Sequence, residues 1–367
     1  MENKNIELRN GYTLEELNKD PTYYLNRTTF VIGRTQSGKS TIIKEIMYLC
    51  KKYISIVFIV SKTGNVNNDF HGMVPSNCIK SEISIEKLEE IVSSQKDRAE
   101  LYAMTHNLDI FYSVIKKIND INLLRKIKNT VEKIEVILHK IENDESIDKN
   151  KKTLKKIEAK KKLKEYKYKK FEQYILDHKS TIFEKHKSNV IQLNKDELLC
   201  VKFIDFNPNF LLVIDDCASE LKKWNSKSTF LKDILYNGRH NKITFIVSAQ
   251  NDKEIEPGLR KNSMVNIFTT SQAVNSNFEN TTNSFSKYDK NIARLSINGL
   301  NNAKDNFKKL VYLQQPLNNK QFYYTKANVY DNFRLGCESL WKLAEELNNK
   351  LNHNKKMNNR LYNKFNL

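Results

Sequence analysis

Cysteine is sparse in this sequence, and its spacing excludes the common zinc motifs. Among 367 residues there are five cysteines, and none forms a C-x-x-C pair or a cluster with histidine. Zinc fingers and related sites need such ligands at close spacing. We therefore expect reduced thiols with a structural role, in a protein of a reducing compartment. The cysteines are Cys50, Cys78, Cys200, Cys217 and Cys337.

Long hydrophobic runs are lacking as well. No apolar stretch of the sequence approaches the ~18 residues that a membrane helix needs. The first residues, Met1–Asn5, are polar and do not have the pattern of a signal peptide. We therefore expect a soluble protein that has no membrane partner.

Acidic residues are too few to balance the basic ones. The chain has 62 Lys and Arg against 43 Asp and Glu, a formal net charge of +19. An excess of this size attracts polyanions, with nucleic acid as the first candidate and an acidic protein or a membrane surface as alternatives. Only ten of the basic residues are Arg, the better reader of base edges. If the partner is nucleic acid, the composition favours backbone contacts that do not read sequence.

Glycine is also scarce, at nine residues, so one glycine-containing segment stands out. This segment matches the phosphate-loop pattern G-x-x-x-x-G-K-S/T. A β-rich run precedes it and helical spacing follows it, which gives the order of strand, loop and helix that the motif requires. The segment is Gly33, Arg34, Thr35, Gln36, Ser37, Gly38, Lys39 and Ser40, followed by Thr41.

Each fixed position of this loop has a chemical task. Gly33 and Gly38 allow the backbone to turn so that N–H groups face phosphate oxygens, and the following helix adds its positive end. Lys39 places a charge between the outer phosphates, and the hydroxyl of Ser40 ligates magnesium. The loop therefore predicts binding of ATP and Mg²⁺. The guanine-reading motif N-K-x-D is not matched, since the nearest string, residues 194–197, has its acid one place early.

Two later strands carry the other candidate catalytic residues. Phe210–Ile214 leads into Asp215, which is placed to hold the magnesium ion through water, and Asp216, which is placed to polarise the attacking water. A structural or surface role is the alternative for Asp216. The strand Ile243–Val247 runs on to Gln250, which would sense the terminal phosphate if this strand lies between the two motif strands. The alternative is that Gln250 only caps its strand.

Strands that alternate with helices predict an α/β fold with a mostly parallel sheet and helices on both faces. Together with the loop, this indicates a P-loop NTPase of the additional-strand type. The strands are predicted at Thr28–Ile32, Ile54–Val60, Phe210–Ile214, Ile243–Val247 and Val265–Thr269.

The long segment between the second and third strands has a different character. Apolar residues recur at steps of three and four from Leu124 to Ile141, residues 143–146 break the pattern, and a Lys-dense stretch follows at Lys149–Lys170. This predicts an antiparallel helical hairpin inserted into the sheet domain. The charge run is either a solvated helix face or an arm that contacts DNA or a partner. The apolar positions of the second helix are Leu154, Ile157 and Leu163.

The organisation along the chain follows from these segments. A lead-in occupies residues 1–27, and the P-loop ATPase core occupies residues 28–83 and 200–335. The inserted Lys-rich helical region covers residues 84–199, and a C-terminal helix and polar tail cover residues 336–367.

The order of the motifs resembles that of the poxvirus A32-like genome-packaging ATPases of large DNA viruses, within the FtsK/HerA superfamily. The resemblance covers residues 26–62 and 205–330 and leaves out the helical hairpin. The matching elements are the loop Gly33–Ser40, then Leu211–Cys217, Asn237–Asn241, Ile246–Gln250 and Pro257–Asn262.

This resemblance implies a homo-oligomeric ring of five or six subunits that pumps double-stranded DNA into a capsid. It also implies capsid or portal-region proteins as partners, and a location in the viral factory of the host cytoplasm or in the virion. Such rings complete each active site with an arginine from the neighbouring subunit. Arg239 and Arg260 lie in family-like stretches and are the candidates, each with a structural salt bridge as the alternative. Arg34 is a third, weaker candidate.

Three other functions remain open from the sequence. A helicase or another DNA-translocating ATPase would share the whole site. A nucleoside or nucleotide kinase would need a small acceptor pocket and an Arg-rich lid, and the Lys-rich hairpin suits neither. A non-catalytic DNA-tethering protein with a vestigial site is disfavoured because Lys39, Ser40 and Asp215 are intact.

Overall fold

The computed structural model describes most of the chain and divides it into two compact units. The first unit combines the regions before Ala99 and after Phe206, and the second is the helical segment 99–206 between them. The described residues are 5–9, 11–62, 69–143, 148–302 and 307–350.

In the described residues, ten strands form one sheet, which belongs to the first unit. The strands are β1 Ile6–Glu7, β2 Thr13–Glu16, β3 Thr28–Ile32, β4 Ile56–Ser61, β5 Ile79–Lys80, β6 Phe210–Asp215, β7 Ile243–Ala249, β8 Val265–Phe268, β9 Lys308–Leu317 and β10 Lys320–Lys326.

The helices follow in chain order. They are α1 Lys39–Cys50, α2 Ile85–Thr105, α3 Leu108–Ile118, α4 Ile121–Asn143, α5 Lys149–Asp177, α6 Lys179–Lys187, α7 Lys195–Lys202, α8 Ala218–Lys227, α9 Phe230–Asn237, α10 Pro257–Lys261, α11 Ser271–Glu279, α12 Lys287–Asn302 and α13 over 338–350. Short 3₁₀ helices lie at Pro21–Tyr23, Ser76–Cys78, Asp252–Glu254 and Thr281–Asn283.

The strand order is β1-β2-β10-β9-β8-β3-β7-β6-β4-β5. From β8 to β5 every neighbouring pair is parallel, and antiparallel pairing occurs at β8–β9, β9–β10 and β1–β2. Strand β7 lies between β3, which leads into the phosphate loop, and β6, which ends at Asp215 and is followed by Asp216. The predicted fold class, an additional-strand P-loop NTPase with a mostly parallel sheet, is confirmed by this order.

The central strands are largely apolar because both of their faces are covered. Every residue of β3, β6, β7 and β8 is buried. Alternation within β6 separates two cores, since Leu212 packs with Leu88 of α2 and Leu211 packs with Ile43 of α1. The sheet is therefore sandwiched between two layers of helices, as the alternating pattern predicts.

The first residues of the chain contribute more to the sheet than a lead-in would. Strand β2 pairs in parallel with β10, and Leu14 and Leu17 are buried. The tail is attached to the sheet unit where it begins, since the N–H of Cys337 donates to the carbonyl oxygen of Ser55 at 2.8 Å and Ala344 is buried. The expected C-terminal helix is present as α13, and Leu351 lies outside the described residues.

The second unit has a core of its own, and the predicted helical hairpin is part of it. Helices α4 and α5 pack in antiparallel fashion, as the contacts of Lys156 with Glu142 and of Thr130 with Tyr166 show. The predicted break falls at residues 143–146, of which 144–146 lie outside the described residues. The core residues are Phe111, Val114, Ile115, Ile127, Phe171, Ile175, Ile182, Ile191, Leu193, Cys200, Val201 and Ile204.

The packing of the Lys-rich helix differs from the expected one. Leu163 is half-buried, but Leu154 and Ile157 are 66% and 59% exposed. Lys152 and Lys156 face α4 instead, where their ammonium groups donate to the carbonyl and carboxylate oxygens of Glu142. Polar contacts therefore hold α5 to α4 at this end of the hairpin, and Leu154 and Ile157 are left exposed to solvent.

Two negative findings apply to the described part of the chain. No helix there is long and apolar enough to cross a lipid bilayer. His, Cys, Asp and Glu side chains there form no group of three or more that could hold a metal ion. All five cysteines are free, and four of them are buried.

Candidate active site

The phosphate loop is preformed between β3 and α1. Gly38 is the residue before α1 and has a φ of 92°, a conformation that a residue with a Cβ rarely adopts. A Cβ on Gly33 would collide with the hydroxyl of Thr269. No side chain caps the start of α1, so its first N–H groups are available to an anion.

Lys39 lies across this loop and is nearly buried, at 8% exposure. Its Nζ donates to the carbonyl oxygens of Gly33 and Arg34 at 2.8 and 3.3 Å. Ser37 Oγ donates to the same Arg34 oxygen at 2.6 Å and lies 2.5 Å from Thr269 Oγ1. The charge is therefore held at the mouth of the loop, where the outer phosphates of a nucleotide would enter.

Asp215 ends β6 beside the loop and is only 4% exposed. The hydroxyl of Ser61 donates to Oδ2 at 3.2 Å, and the hydroxyl of Ser248 donates to Oδ1. Burial raises the pKa of Asp215, while these two hydroxyls and the charge of Lys39 act in the opposite direction. A cation at this carboxylate would favour its charged form.

Asp216 and Gln250 meet at the ends of neighbouring strands. Gln250 Nε2 donates to Asp216 Oδ1 at 3.1 Å, and the backbone N–H of Asp216 donates to Ser248 Oγ at 3.0 Å. Asp216 has a φ of 54°, a left-handed conformation that Asp tolerates better than most residues. The backbone of Gln250 is fixed in turn by a hydrogen bond to Glu254. The structure thus brings these two predicted residues together.

The oxygen atoms near the loop that could act as metal ligands suit a hard divalent cation. Ser40 Oγ donates to Asp69 Oδ2 at 3.4 Å, and Asp215 supplies the carboxylate predicted for the metal. Hydroxyl and carboxylate oxygens are the ligands that Mg²⁺ prefers, completed by water and phosphate oxygens. Asp69 was not predicted from the sequence, because it follows no buried strand and belongs to no spaced motif.

A cavity of about 730 Å³ adjoins the loop on the side of α1. It is lined by Gly38, Thr41 and Ile42 from the loop and helix and by Ala327 and Val329 beyond β10. Its volume is in the range of small-molecule sites, and its position beyond the phosphate loop suits a base and sugar.

The candidate arginines occupy different places. Arg260 is buried in an ion pair with Asp252 at 2.6 Å and also donates to Thr282. Arg239 is exposed and precedes β7, so it lies at the amino ends of the parallel strands. Lys39 lies at their carboxyl ends, about 20 Å away along the strand direction. Arg34 is exposed in the loop itself. Neither Arg239 nor Arg260 is brought to the phosphate loop of its own chain, and a role toward a neighbouring subunit stays a prediction.

Glu220, a further acid near the site, is paired with a lysine. Its carboxylate forms an ion pair with Lys62 at 2.6 Å. The carboxylate of Asp216 instead accepts a hydrogen bond from the neutral amide of Gln250. The geometry therefore favours Asp216 over Glu220 as the group that polarises water.

The strand order, the glycine loop and the buried acid at the end of β6 define the class of this protein, a P-loop NTPase fold of the additional-strand type. No family model matches the chain. It is similar to the uncharacterized protein B354L of African swine fever virus, with 27% identity over 348 residues, which is 93% of both chains. A shorter similarity, 37% over 59 residues, links it to an uncharacterized protein of Acanthamoeba polyphaga mimivirus and spans 16% of this chain and 20% of that protein.

Among solved structures, the chain is similar to the conjugation coupling protein TcpA of pCW3, with a TM-score of 0.39 and 12% identity over 90% of this chain and 68% of that one. It is also similar to the genome-packaging NTPase B204 of Sulfolobus turreted icosahedral virus 2, with a TM-score of 0.36 and 14% identity over 84% and 98% of the two chains. Because these values are low, the fold assignment rests on the strand order and the loop geometry.

Proposed function

We propose that this protein is an ATP-driven motor that translocates double-stranded DNA, and that it packages a viral genome in the manner of the A32-like ATPases. The observation that carries the proposal is the joint placement of Lys39, Asp215, Asp216 and Gln250 around one preformed phosphate loop. A kinase or a tether would not need a strand-borne sensor in contact with a candidate base.

The hydrolytic roles follow from the contacts of each side chain. Lys39 and the first N–H groups of α1 bind the outer phosphates, and Asp216 orients and polarises the attacking water. Ser40 and Asp215 would hold Mg²⁺, which neutralises charge that develops on the phosphates. Gln250 contacts Asp216 and follows Ala249, whose carbonyl oxygen accepts a hydrogen bond from the N–H of Gly33 in the loop. It is therefore suited to sense the terminal phosphate beside the base.

The DNA-related part of the proposal is supported by charge and by relatives. A net charge of +19 that comes mainly from Lys favours binding to phosphate backbones without reading of sequence. A relative that matches over nearly the whole chain is a protein of African swine fever virus. The net charge and the viral relative are both consistent with a motor that acts on duplex DNA of any sequence.

The oligomeric part of the proposal concerns the arginines. A ring of five or six subunits would place an arginine of one subunit at the phosphates of the next. Arg239 is the better candidate because its side chain is exposed. Arg260 is committed to Asp252 within its own chain.

Phosphate release from ATP tests the proposal, measured with and without duplex DNA and with a small phosphate acceptor. A DNA motor should hydrolyse ATP faster when DNA is present. Hydrolysis that requires a small acceptor would favour a kinase, and binding to DNA without hydrolysis would favour a tether. Lys39→Ala should lower turnover about a hundredfold or more, whereas Lys52→Ala, an exposed lysine just beyond α1, should not.

A further inference from the structure

The face of α1 that lines the cavity continues along the helix. Thr41, Glu45 and Tyr48 are separated by four and three residues, so they share one side of α1. Thr41 lines the cavity, while Glu45 and Tyr48 contact the segment that follows β10. We call residues 326–331, which begin at the last residue of β10, the strap.

The strap alternates between the cavity and the helix. Ala327 and Val329 line the cavity. The backbone N–H of Asn328 donates to Glu45 Oε1 at 3.1 Å, and the ring of Tyr330 stacks on Tyr48 with centroids 3.8 Å apart and planes 9° apart. Successive residues of an extended chain point to opposite sides, which accounts for this division.

Glu45 is the more buried of the two α1 residues that contact the strap. Its side chain is 4% exposed, and Lys19 donates to both of its carboxylate oxygens at 2.8 Å. Lys19 Nζ also donates to the carbonyl oxygen of Lys326 at 2.7 Å, so the same ammonium group contacts the start of the strap. A buried carboxylate needs such partners, and here they fix the strap to α1.

We propose that the strap forms the wall of the cavity that receives the base and sugar of the nucleotide, and that α1 holds this wall in place through Glu45 and Tyr48. The helix that carries Lys39 then sets the distance between the phosphate loop and the base wall. Glu45 and Tyr48 are positioning residues, since they act through Ala327 and Val329. This inference rests on the proposed nucleotide site.

The test compares a ligand that has a base with one that lacks it. The dissociation constants of a non-hydrolysable ATP analogue and of inorganic triphosphate, both with Mg²⁺, are measured by calorimetry for wild type and for Tyr330→Ala. Loss of the stack should weaken the ATP analogue about two- to tenfold, the range expected for one aromatic pair, and leave the affinity for triphosphate unchanged. Tyr330→Phe, which keeps the ring, should restore wild-type binding, and Tyr53→Ala, at an exposed tyrosine outside the strap, should change neither constant.

An equal loss of affinity for both ligands would show a general structural defect and overturn the strap's role. Unchanged affinity for both in Tyr330→Ala would overturn it too. A different failure belongs to the proposed function: if the wild-type protein binds neither ligand, there is no nucleotide site for the strap to complete.

Discussion

At the residue scale, the two adjacent acids at the end of β6, Asp215 and Asp216, have different surroundings. Asp215 is buried between two hydroxyls, and Asp216 is partly exposed and contacts an amide. Burial with hydroxyl donors suits a group that holds a cation in one position, and partial exposure suits one that exchanges water. The different burial of the two acids therefore supports the proposed roles of Asp215 as metal ligand and Asp216 as base.

Asp216→Asn tests the assignment of the base. Asn tolerates the left-handed φ of 54° and can still accept the hydrogen bond from Gln250, so the local structure should persist. We expect normal binding of ATP with Mg²⁺ and a loss of turnover of about a hundredfold. Steady-state hydrolysis and equilibrium binding separate the two effects. Normal turnover would place the base elsewhere, with Glu220 as the next candidate.

Arg260→Ala tests whether this arginine has a structural role. Removal of the guanidinium would leave the fully buried Asp252 carboxylate without its ionic partner. We expect the free energy of unfolding to fall by about 3–5 kcal/mol, measured by urea denaturation. Arg294→Ala, at an exposed arginine, is the control. A variant with wild-type stability but no hydrolysis would instead support a role of Arg260 in a neighbouring subunit's site.

The residues that the sequence predicted are those fixed by a motif or by the end of a buried strand. The loop pattern itself dictates where Gly33 and Lys39 lie, and a parallel sheet brings strand ends together. Asp69 contacts Ser40 from a distant segment, as an isolated polar residue with no spacing signal. Thr269 ends the predicted fifth strand, but nothing in the sequence marks it as the residue that contacts Ser37 of the loop. Their contacts depend on tertiary packing, which a single sequence does not reveal.

At the element scale, the buried parallel strands were predictable and the antiparallel strands β9 and β10 were not. Strands β3 and β7 consist of apolar and β-branched residues apart from a few small ones, whereas β9 and β10 mix apolar with basic and amide side chains. The turn that joins them, Asn318-Asn319, has positive φ at both residues, which is the signature of a tight hairpin. That asparagine pair was the one local signal for the hairpin.

The Lys-rich helix α5 gives the sharpest prediction at this scale. Lys160, Lys161 and Lys164 are exposed on it, within the densest run of positive charge. If α5 lies along DNA, replacing all three with Gln should weaken duplex binding. The negative slope of log affinity against log salt should become less steep by about 2.7. Affinities measured across a salt series provide both values.

The control for this experiment is another set of exposed lysines. Lys223, Lys227 and Lys232 lie on α8 and α9, outside the helical unit, and carry the same charge. Their replacement with Gln should change the slope less. Equal effects of the two triple variants would indicate a diffuse attraction by net charge and would leave α5 as a solvated arm.

At the scale of the whole molecule, the chain divides into two compact units. One unit contains the sheet and every residue of the proposed hydrolytic site, and the other contains a helical core of its own with the densest lysine run. The sequence predicted this division from a change in periodicity and charge. It placed the insertion at residues 84–199, whereas the compact helical unit covers 99–206, because α2 continues the packing of the sheet domain before it enters the insertion.

The central claim is that hydrolysis moves the protein along duplex DNA. Displacement of a third strand from a triplex, followed by a fluorescent label on that strand, measures such movement directly. We expect displacement by the wild-type protein with ATP and Mg²⁺ on duplexes of any sequence, and none by Lys39→Ala or without ATP. ATP hydrolysis stimulated by the duplex but without displacement of the third strand would contradict the account of this protein as a DNA-translocating motor.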